Sequence, residues 1–403
     1  MPASARWTAW RTCATSSSAA TEIADVRALP GIRYHLARAG DPSTLVAPPY
    51  DVIPEADLPR YRALSPYNVV RLTRPGTDYE GAARTFEEWS RDGILSADPS
   101  SMYVHEVEFD GGRRRDLVAA LRLQPYSDGV VLPHERTHPG PKEDRLELLR
   151  ATNVSLEPLW FLYEGRDTGL VPTLERVAAR TPAVAFEMEG MRHRLWVISD
   201  PAIHSAVNAA FDALPVLIAD GHHRYETTLA YSQELGGPPD AASRFTLALL
   251  TDLDDPGLMV LPTHRVIKAG VAITGGEPAG SLEEVLAALP GRVAAGTYRD
   301  HEFQVVPLDG DVPVVELHQQ VIDNILGRRS AEDLLLYTRD PAEAVAWVDG
   351  GTGVAAFFLG PPDLRQVLEL ARQGKTMPQK STYFYPKPPS GMVFHRLGAA
   401  PLI

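Results

Sequence analysis

Cysteine is almost absent from this chain of 403 residues, whose one cysteine is Cys13. A single cysteine excludes an internal disulfide and a thiolate metal cage, and it is typical of proteins from a reducing compartment. No apolar run approaches the roughly 18 residues that a membrane helix needs. The longest, residues 354–359, has the length of a buried strand. We therefore expect a cytoplasmic protein with no membrane partner.

Basic residues are also in deficit. Lys and Arg number 39 against 52 for Asp and Glu, which gives a net charge of −13. A chain this acidic repels nucleic acid, and any anionic ligand must be met by a local basic patch. The sequence also lacks an internal repeat and the glycine-rich fingerprints of dinucleotide and Walker sites. Neither a nucleic-acid partner nor an organic cofactor is indicated.

The first 21 residues differ from the rest of the chain. They contain Arg6 and Arg11, many Ser and Ala, and no acidic residue before Glu22. A transit peptide has this composition, but the stretch lacks a clear apolar face, which favours a disordered tail or a start site assigned too early. We expect residues 22–398 to form one large unit, with a subdivision into 22–165 and 166–398 as the alternative.

Apolar patterning predicts strands and helices that are mixed without a regular βαβ repeat, so the expected class is α+β, with mixed sheets packed against helices. The segment 102–123 reads as a hairpin around Asp110-Gly-Gly. Short strands are predicted at 69–72, 215–219 and 345–348, and helices at 222–235 and 315–327.

The sharpest chemical signal is the segment 220–224, Asp-Gly-His-His-Arg, where an apolar strand ends and a helix begins at once. Helix N-termini carry a partial positive charge and free N–H groups, so cations there are unfavourable. His222, His223 and Arg224 make sense if an anion is held by those N–H groups and assisted by these side chains. The alternative is that Asp220 only caps the helix while the histidines face solvent.

Further candidates surround this centre. Asp220 stands where a strand ends, a common place for a catalytic acid, base or metal ligand, and Glu226 shares a helix face with His222. No histidine spacing matches a structural zinc site. In the loop 134–145, Glu135 could be a general base, while Arg136 and Lys142 could hold phosphate oxygens; the alternative is a solvated loop.

Two other segments carry weaker patterns. Lys380, Ser381 and Thr382 could cradle a phosphate with an ammonium and two hydroxyls, although an aromatic strand followed by a proline turn would look the same. His264 and Arg265 repeat the strand-end His-Arg pattern, which a surface pair would also produce.

Six segments occur in a characteristic order: 46–53, 65–68, 134–137 with 140–145, 219–227, 262–265 and 377–387. Together they resemble the prokaryotic family called domain of unknown function 1015, over about residues 22–398. The segment 220–224 is also similar to the Asp-Gly-x-His-Arg motif of free serine kinases related to the ParB partition-protein fold. This resemblance implies a ParB/sulfiredoxin-like core around the segment.

The resemblance further implies that the protein phosphorylates free L-serine to O-phosphoserine with pyrophosphate as donor and with Mg²⁺ or another divalent cation. Asp220 would then orient the metal or the serine hydroxyl, and Glu135 would activate that hydroxyl. The donor phosphates would be bound by His222, His223 and Arg224, with one histidine assisting proton transfer. The phosphate and substrate cradle would be completed by Arg136, Thr137, Lys142, Glu226, His264, Arg265, Lys380, Ser381 and Thr382.

Two other functions stay open at this point. One is a ParB-like nucleotide-binding switch without catalysis, which would need a nucleotide pocket and a DNA-binding helix-turn-helix. The sequence has no basic helix, and its charge of −13 argues against DNA. The other is a hydrolase of the phosphatase or pyrophosphatase type with the same cradle. In each case the partners are small molecules, an amino acid and a phosphate donor for the kinase, and the chain could form a homodimer.

Overall fold

The computed structural model describes residues 24–135, 140–212, 214–268, 275–327, 331–398 and 400–402, with only the backbone at 140–142 and 332. The predicted tail 1–21 lies outside the described residues, as do Arg136, Thr137 and the side chain of Lys142. Within the described part of the chain, no helix is both long and apolar enough to cross a membrane.

A mixed sheet of nine strands organises the chain between residues 26 and 252. Its parallel pairs are Val131–Leu132 with Val216–Asp220, and Leu159–Tyr163 with Phe245–Asp252; the other pairs are antiparallel. The order across the sheet is Val131–Leu132, Val216–Asp220, Leu159–Tyr163, Phe245–Asp252, Gly112–Arg122, Met102–Phe109, Met191–Ile198 and Val184–Met188, with Val26–Arg27 also beside Gly112–Arg122. The sheet combines strands from before and after residue 165 of the chain. The predicted subdivision into 22–165 and 166–398 stays a prediction.

Both faces of this sheet are covered. Helices Leu170–Ala178, Pro201–Phe211 and His222–Leu235 contribute apolar side chains to the core on one face. The core on the other face also contains residues of a second sheet. Because a strand covered on both sides buries every side chain, all five residues of Leu159–Tyr163 are apolar and buried.

The second sheet has six strands, all between residues 277 and 358 except one at 264–267. Its order is Glu277–Ala279, Glu302–Pro307, Ala294–Arg299, Ala355–Phe358, His264–Ile267 and Leu335–Thr338, and every pair is antiparallel. The hairpin within it turns at Asp300 and His301, both at positive φ (52° and 64°), which matches the left-handed turns that suit twisted strands.

Three two-stranded ladders and the remaining helices complete the fold. The ladders are Met259–Leu261 with Tyr383–Tyr385, Ile32–Tyr34 with Leu95–Ala97, and Val154–Ser155 with His395–Arg396. The other α-helices are Leu36–Ala39, Leu58–Leu64, Val70–Thr73, Tyr79–Arg91, Gly140–Thr152, Leu282–Ala288, Pro313–Leu317, Asp323–Leu326, Ala331–Leu334, Pro341–Asp349 and Leu364–Arg372. The first ladder carries the chain from 383 onwards back towards the end of Val216–Asp220.

The predicted α+β class is confirmed, but two predicted strands are wrong. The segment 69–72 lies in a helix, Val70–Thr73, because the Asn68 carboxamide accepts a hydrogen bond from the Val70 N–H at 3.1 Å and starts a helical turn. The segment 345–348 lies in the helix Pro341–Asp349. Its start carries Pro341 at the first position and the Asp340 side chain as cap, accepting from Ala342 N at 2.9 Å.

The predicted helix at 315–327 is divided in the structure. It runs as Pro313–Leu317, a wider π-turn at His318–Ile322, and Asp323–Leu326. The predicted helix at 222–235 and the hairpin at 102–123 are confirmed, since the structure has His222–Leu235 and the pair Met102–Phe109 with Gly112–Arg122.

Candidate functional site

The turn from strand to helix at residue 220 opens on a cleft. The strand Val216–Asp220 shifts its register against Leu159–Tyr163 between Ile218 and Asp220, an irregularity that redirects the last side chain. Gly221 follows at φ 98°, and a Cβ there would lie 2.9 Å from the Leu159 side chain. Only glycine fits this turn, which lets the helix begin directly after Asp220.

The cleft has a volume of about 490 Å³ and is built from distant stretches of the chain. Residues 50–52, 219–224, 337–339 and 379–387 contribute most of its wall. Among the described lining residues, the acids are Asp51, Glu135, Asp220 and Glu343, and the lysines and arginines are Arg224, Arg339, Lys380 and Lys387. Because the described acids and bases are equal in number, the cleft does not present charge of one sign.

Lys387 stands at the centre of these charges. Its Nζ donates to Asp220 Oδ1 at 2.7 Å and to Asp51 Oδ2 at 2.8 Å. The other Asp220 oxygen, Oδ2, accepts a hydrogen bond from Arg224 Nη2 at 2.9 Å. The Asp220 carboxylate is thus held between an ammonium and a guanidinium, and 22% of its side chain is exposed towards solvent.

These contacts decide the protonation of both partners. Burial alone would raise the pKa of Asp220, but the nearby Lys387 and Arg224 outweigh it and hold that pKa well below its usual range. Burial would likewise lower the pKa of Lys387, yet Asp220 and Asp51 raise it above its usual value. Asp220 is therefore ionised and Lys387 protonated at neutral pH.

Arg224 is held in place by more than Asp220. Its Nη1 donates to the carbonyl of Pro158 at 3.0 Å and lies 3.9 Å from Glu157 Oε2. Glu157 also accepts from the Tyr50 N–H at 3.0 Å. The Tyr50 ring has Arg224 at 5.9 Å and Arg145 at 4.4 Å from its centroid. This arrangement fixes the guanidinium beside the Asp220 carboxylate.

Two buried histidines lie directly behind the turn. His134 Nδ1 donates to the carbonyl of Ile218 at 2.7 Å, so its Nε2 accepts from the Thr382 hydroxyl at 2.8 Å. His222 Nε2 in turn accepts the His134 backbone N–H at 3.3 Å. Burial lowers the pKa of both rings, that of His222 well below its usual value. Both histidines are neutral at pH 7 and join the 134 segment to residues 218–222.

Glu135 is bound to the loop at 380–382. Its carboxylate accepts the backbone N–H groups of Lys380 at 3.2 Å, Ser381 at 2.8 Å and Thr382 at 3.2 Å. Lys380 adopts a positive φ of 53°, which turns successive N–H groups towards one side. The loop that was predicted to cradle phosphate does present an anion-binding concavity, and the Glu135 side chain occupies it.

The remaining cations of the cleft lie at its rim. Lys380 and Arg339 are exposed, and neither forms an ion pair with a described carboxylate. Arg339 packs over the Tyr383 ring at 4.0 Å, and Lys380 lies 6.0 Å from the centroid of Tyr337. His223 also lines the cleft. Among the described lysines and arginines that line the cleft, the exposed Lys380 and Arg339 are placed to meet an anion entering from solvent.

Four predicted residues that the structure describes do not line the cleft. The buried Ser381 is one of them, and its hydroxyl donates to the carbonyl of Pro378. Glu226 accepts from the Tyr126 hydroxyl at 3.4 Å on another side of the helix. His264 is buried on the second sheet, where its Nδ1 accepts the Leu359 N–H at 3.4 Å. Arg265 is also fully buried and donates to the carbonyl of Lys380 at 3.1 Å, so it supports the 380–382 loop from behind.

The sequence did not single out several residues that complete the site. Lys387 lies between Pro386 and Pro388, and Asp51 follows Pro48 and Pro49. Each had one local signal, a charged residue in a proline-containing turn. Nothing in the sequence indicated that the two turns meet across the Asp220 carboxylate.

A divalent cation was predicted at Asp220. Both oxygens of that carboxylate already accept from cations, and Lys387 Nζ occupies the space between Asp220 and Asp51. In the described part of the chain, no group of three or more metal-ligating side chains is found. The divalent cation at Asp220 stays a prediction.

A family profile described as "Protein of unknown function (DUF1015)" matches residues 26–337. The chain belongs to the DUF1015 family. The match ends before the segment 377–387, so in this DUF1015 protein Lys380 and Lys387 enter the cleft from beyond the matched region. No curated protein sequence matches the chain.

Solved structures resemble this DUF1015 protein distantly. A conserved hypothetical protein from Pyrococcus furiosus has 17% identity and a TM-score of 0.36, with 68% of this chain and 91% of that chain covered. A free serine kinase in complex with AMP has 15% identity and a TM-score of 0.38, with coverages of 70% and 92%. SbnI with a C-terminal truncation, from Staphylococcus aureus, has 12% identity and a TM-score of 0.35, with coverages of 70% and 87%. All three TM-scores are below 0.5.

Proposed function

We propose that the cleft transfers a phosphoryl group to the hydroxyl of a small metabolite, namely free L-serine, with pyrophosphate as donor. The observation that carries this proposal is the Asp220 carboxylate, kept ionised between Arg224 and Lys387 at the start of a helix. An ionised carboxylate with spare lone pairs can accept a hydrogen bond from an alcohol and orient its oxygen. Nearby cations can neutralise the charge of the reacting phosphate.

The proposed reaction needs no covalent bond between the protein and the phosphoryl group. The serine hydroxyl oxygen attacks one phosphorus atom, a new O–P bond forms, and the bridging P–O–P bond breaks. The Asp220 carboxylate orients the hydroxyl, whose proton passes to the departing phosphate, so O-phosphoserine and phosphate are the products. Because such transition states are loose, positioning and charge neutralisation supply most of the acceleration.

The helix start and the rim supply donors for the phosphates. The first turn of His222–Leu235 carries the positive end of the helix dipole. His223, Lys380 and Arg339 stand around the same opening. We assign the donor phosphates to this region and the acceptor hydroxyl to Asp220.

The balance of charge in the cleft suits the proposed acceptor. Free serine is a zwitterion, so it needs an acid for its ammonium and a cation or N–H donor for its carboxylate. A cleft lined by both signs can meet both groups, whereas a purely basic cleft would repel the ammonium. Asp51 and Glu343 are the acids that remain for the ammonium once Asp220 orients the hydroxyl.

Glu135 has a different role in this proposal from the one its sequence context suggests. Its carboxylate already accepts three backbone N–H groups, so it is the residue that shapes the 380–382 loop. We therefore assign the orientation of the hydroxyl to Asp220. The similarity of the segment 220–224 to the motif of free serine kinases supports the same reaction, and a ParB/sulfiredoxin-like core is part of the proposal.

The test measures phosphate release from pyrophosphate with Mg²⁺, with and without L-serine, and detects O-phosphoserine directly by mass spectrometry. The same assay with ADP and ATP, and with a panel of amino acids, identifies the donor and the acceptor. Phosphate release that requires serine, with O-phosphoserine formed in equal amount, is the expected result.

Other outcomes distinguish the alternative functions. Phosphate release that does not depend on serine would identify a hydrolase and refute the kinase. No turnover with any donor, combined with thermal stabilisation by a nucleoside triphosphate, would identify a nucleotide-binding switch. The variant Asp220→Asn, assayed in parallel, ties any turnover to this cleft.

A further inference from the structure

A fully buried ionic cluster lies behind the cleft, within the large sheet. Arg114, Asp116, His105 and Thr251 all have no exposed surface. The two Asp116 oxygens accept from Arg114 Nε at 2.9 Å and Nη2 at 3.2 Å, from His105 Nδ1 at 2.8 Å, and from the Thr251 hydroxyl at 2.5 Å. Every lone pair that this carboxylate offers is therefore directed to a partner.

One side of the cluster reaches the segment that carries Lys387. Arg114 Nη1 donates to the carbonyl of Pro386 at 2.5 Å, and Pro386 is bonded directly to Lys387. Arg114 also lies with its guanidinium 4.2 Å from the Trp160 ring centroid, so its plane is fixed by stacking as well as by Asp116. This contact sets the position from which the Lys387 side chain extends to Asp220.

The other side of the cluster reaches the strand that carries Asp220. Thr251 accepts a hydrogen bond from Trp160 Nε1 at 2.8 Å while donating to Asp116. In the sheet register, Trp160 is the partner of Asp220, at the point where the strand Val216–Asp220 changes its register. Both members of the Lys387–Asp220 ion pair are thus one or two contacts from the same buried charges.

A buried ionic cluster of this kind adds little to the free energy of unfolding. Desolvation of two buried charges offsets most of their attraction, and well-packed apolar side chains of similar volume often stabilise a core as well. However, two Asp116 oxygens and the Trp160 indole fix the orientation of the Arg114 guanidinium plane. Apolar packing would define such an orientation less sharply. With this orientation, Arg114 Nη1 binds the carbonyl of Pro386, the residue before Lys387.

We propose that Arg114 and Asp116 are positioning residues that hold Lys387 and Asp220 at ion-pair distance, acting through Pro386 and Trp160. Neither residue lines the cleft. The arrangement of Lys387 that they impose exists without any substrate. Only the effect on turnover rests on the proposed function, so the structural part can be tested even if the protein is not a kinase.

The experiment compares the acylation rate of Lys387 in three folded proteins, by mapping peptides after brief treatment with an amine-directed reagent. In the native protein Lys387 is held between two carboxylates and reacts slowly. Arg114→Lys keeps the positive charge beside Asp116 but cannot reach both Asp116 oxygens and the Pro386 carbonyl. We expect Lys387 to react about tenfold faster in this variant, which corresponds to a pKa lower by about one unit.

The matched control is Arg33→Lys. Arg33 forms a similar two-pronged, partly buried pair with Asp98 at 2.6 and 2.8 Å, and it has no contact with Pro386 or Lys387. The proposal is overturned if Arg114→Lys leaves the reactivity of Lys387 unchanged, or if Arg33→Lys raises it equally, since general loosening would then explain the effect.

A milder variant serves if Arg114→Lys does not fold. Thr251→Val removes the hydroxyl that joins Trp160 to Asp116 and keeps the shape of the side chain. It should raise Lys387 acylation in the same direction, and an unchanged rate in a folded Thr251→Val protein would contradict the proposal. If serine phosphorylation is observed, Arg114→Lys should lower kcat with little change in the KM for pyrophosphate; a change in KM alone would also contradict it.

Discussion

The Nζ atom of Lys387 lies 2.7 Å from an oxygen of Asp220, although 167 positions separate the two residues in the chain. Arg224, four residues after Asp220, binds the other oxygen at 2.9 Å. The carboxylate therefore has one local and one distant cation. The local cation, Arg224, is supplied by the same turn and helix as Asp220. The distant cation, Lys387, is supplied by the chain after the strand 383–385, so each cation can be removed by its own substitution.

Asp220→Asn should abolish most turnover while the protein stays folded. The amide keeps the size of the side chain but cannot carry the negative charge that orients a hydroxyl and pairs with both cations. We expect kcat to fall by about 10²-fold or more, because misplacement of a reacting group alone costs about that much. The measurement is O-phosphoserine formation, with circular dichroism to verify the fold.

The control for this variant is Asp363→Asn, which changes a helix-capping carboxylate that does not line the cleft. Asp363 accepts the Arg365 N–H at 2.8 Å at the start of Leu364–Arg372. Asparagine caps helices about as well, so turnover should be unchanged. An active Asp220→Asn protein would remove Asp220 from the mechanism.

Lys387→Met should change how stability depends on acid. Burial would raise the pKa of Asp220, but Lys387 and Arg224 outweigh burial and hold the pKa below its ordinary value of 3.8. The unfolded chain therefore takes up this proton at higher pH than the folded one, and the stabilisation is present above 3.8 and is lost below it. Without Lys387 the folded pKa rises and this contribution shrinks.

The free energy of unfolding of both proteins is compared by urea titration at about pH 7 and about pH 3. The gap between native protein and Lys387→Met should be larger at the higher pH. A gap that stays constant would mean that Lys387 does not stabilise the ionised form of Asp220.

His222→Asn should reduce acid sensitivity in a different pH range. Burial keeps the pKa of His222 well below its ordinary value of 6.5, so only the unfolded chain is protonated as the pH falls below 6.5. The native protein should then lose about 1.4 kcal/mol of stability per pH unit more than the variant. Unfolding titrations between neutral and mildly acidic pH measure this slope, with the exposed residue His301 changed to Asn as control. Equal slopes for native protein and His222→Asn would show that His222 is not buried as a neutral ring.

Glu135→Gln separates a loop-holding role from a catalytic one. The amide nitrogen of glutamine would face backbone N–H groups of residues 380–382 that now donate to the carboxylate. Because unpaired donors are costly, we expect the free energy of unfolding to fall by about 1–3 kcal/mol. Glu343→Gln is the matched change in the same cleft, where the carboxylate accepts from the Thr338 hydroxyl, and it should destabilise less. Loss of turnover by orders of magnitude in a Glu135→Gln protein of native stability would instead identify Glu135 as the base.

Much of the fold could be predicted from sequence because its signals are local. The apolar run at 216–219, the glycine at 221 and the polar helix after it predicted the strand, turn and helix that the structure contains. The failures have local causes too. The β-branched pair Val69 and Val70 suggested a strand, but the Asn68 side chain starts a helical turn there. At 345–348 the apolar pattern suggested a strand, but Asp340 and Pro341 start a helix that includes these residues.

The site was predicted in part. Asp220, His222, His223, Arg224, Glu135, Lys380 and Thr382 line one cleft. Glu226, His264 and Arg265 belong to other surroundings, because residue type alone does not tell which side of a helix or sheet meets the cleft. The sequence predicted that Glu135 acts as a general base. In the structure its carboxylate accepts three backbone N–H groups from a loop that begins 245 residues later in the chain.

The sequence by itself determined the class of the fold, the strand-to-helix turn at Asp220, and the need for a partner to the cations at that helix start. Only the tertiary structure decided what that partner is. Arg224 pairs with Asp220 and lies near Glu157, Lys387 joins Asp220 to Asp51, and the buried Arg114 holds the carbonyl just before Lys387. Charge patterns along a chain are local, whereas the energy of an ion pair depends on distance and burial in space, and these are set by how the sheet brings distant turns together.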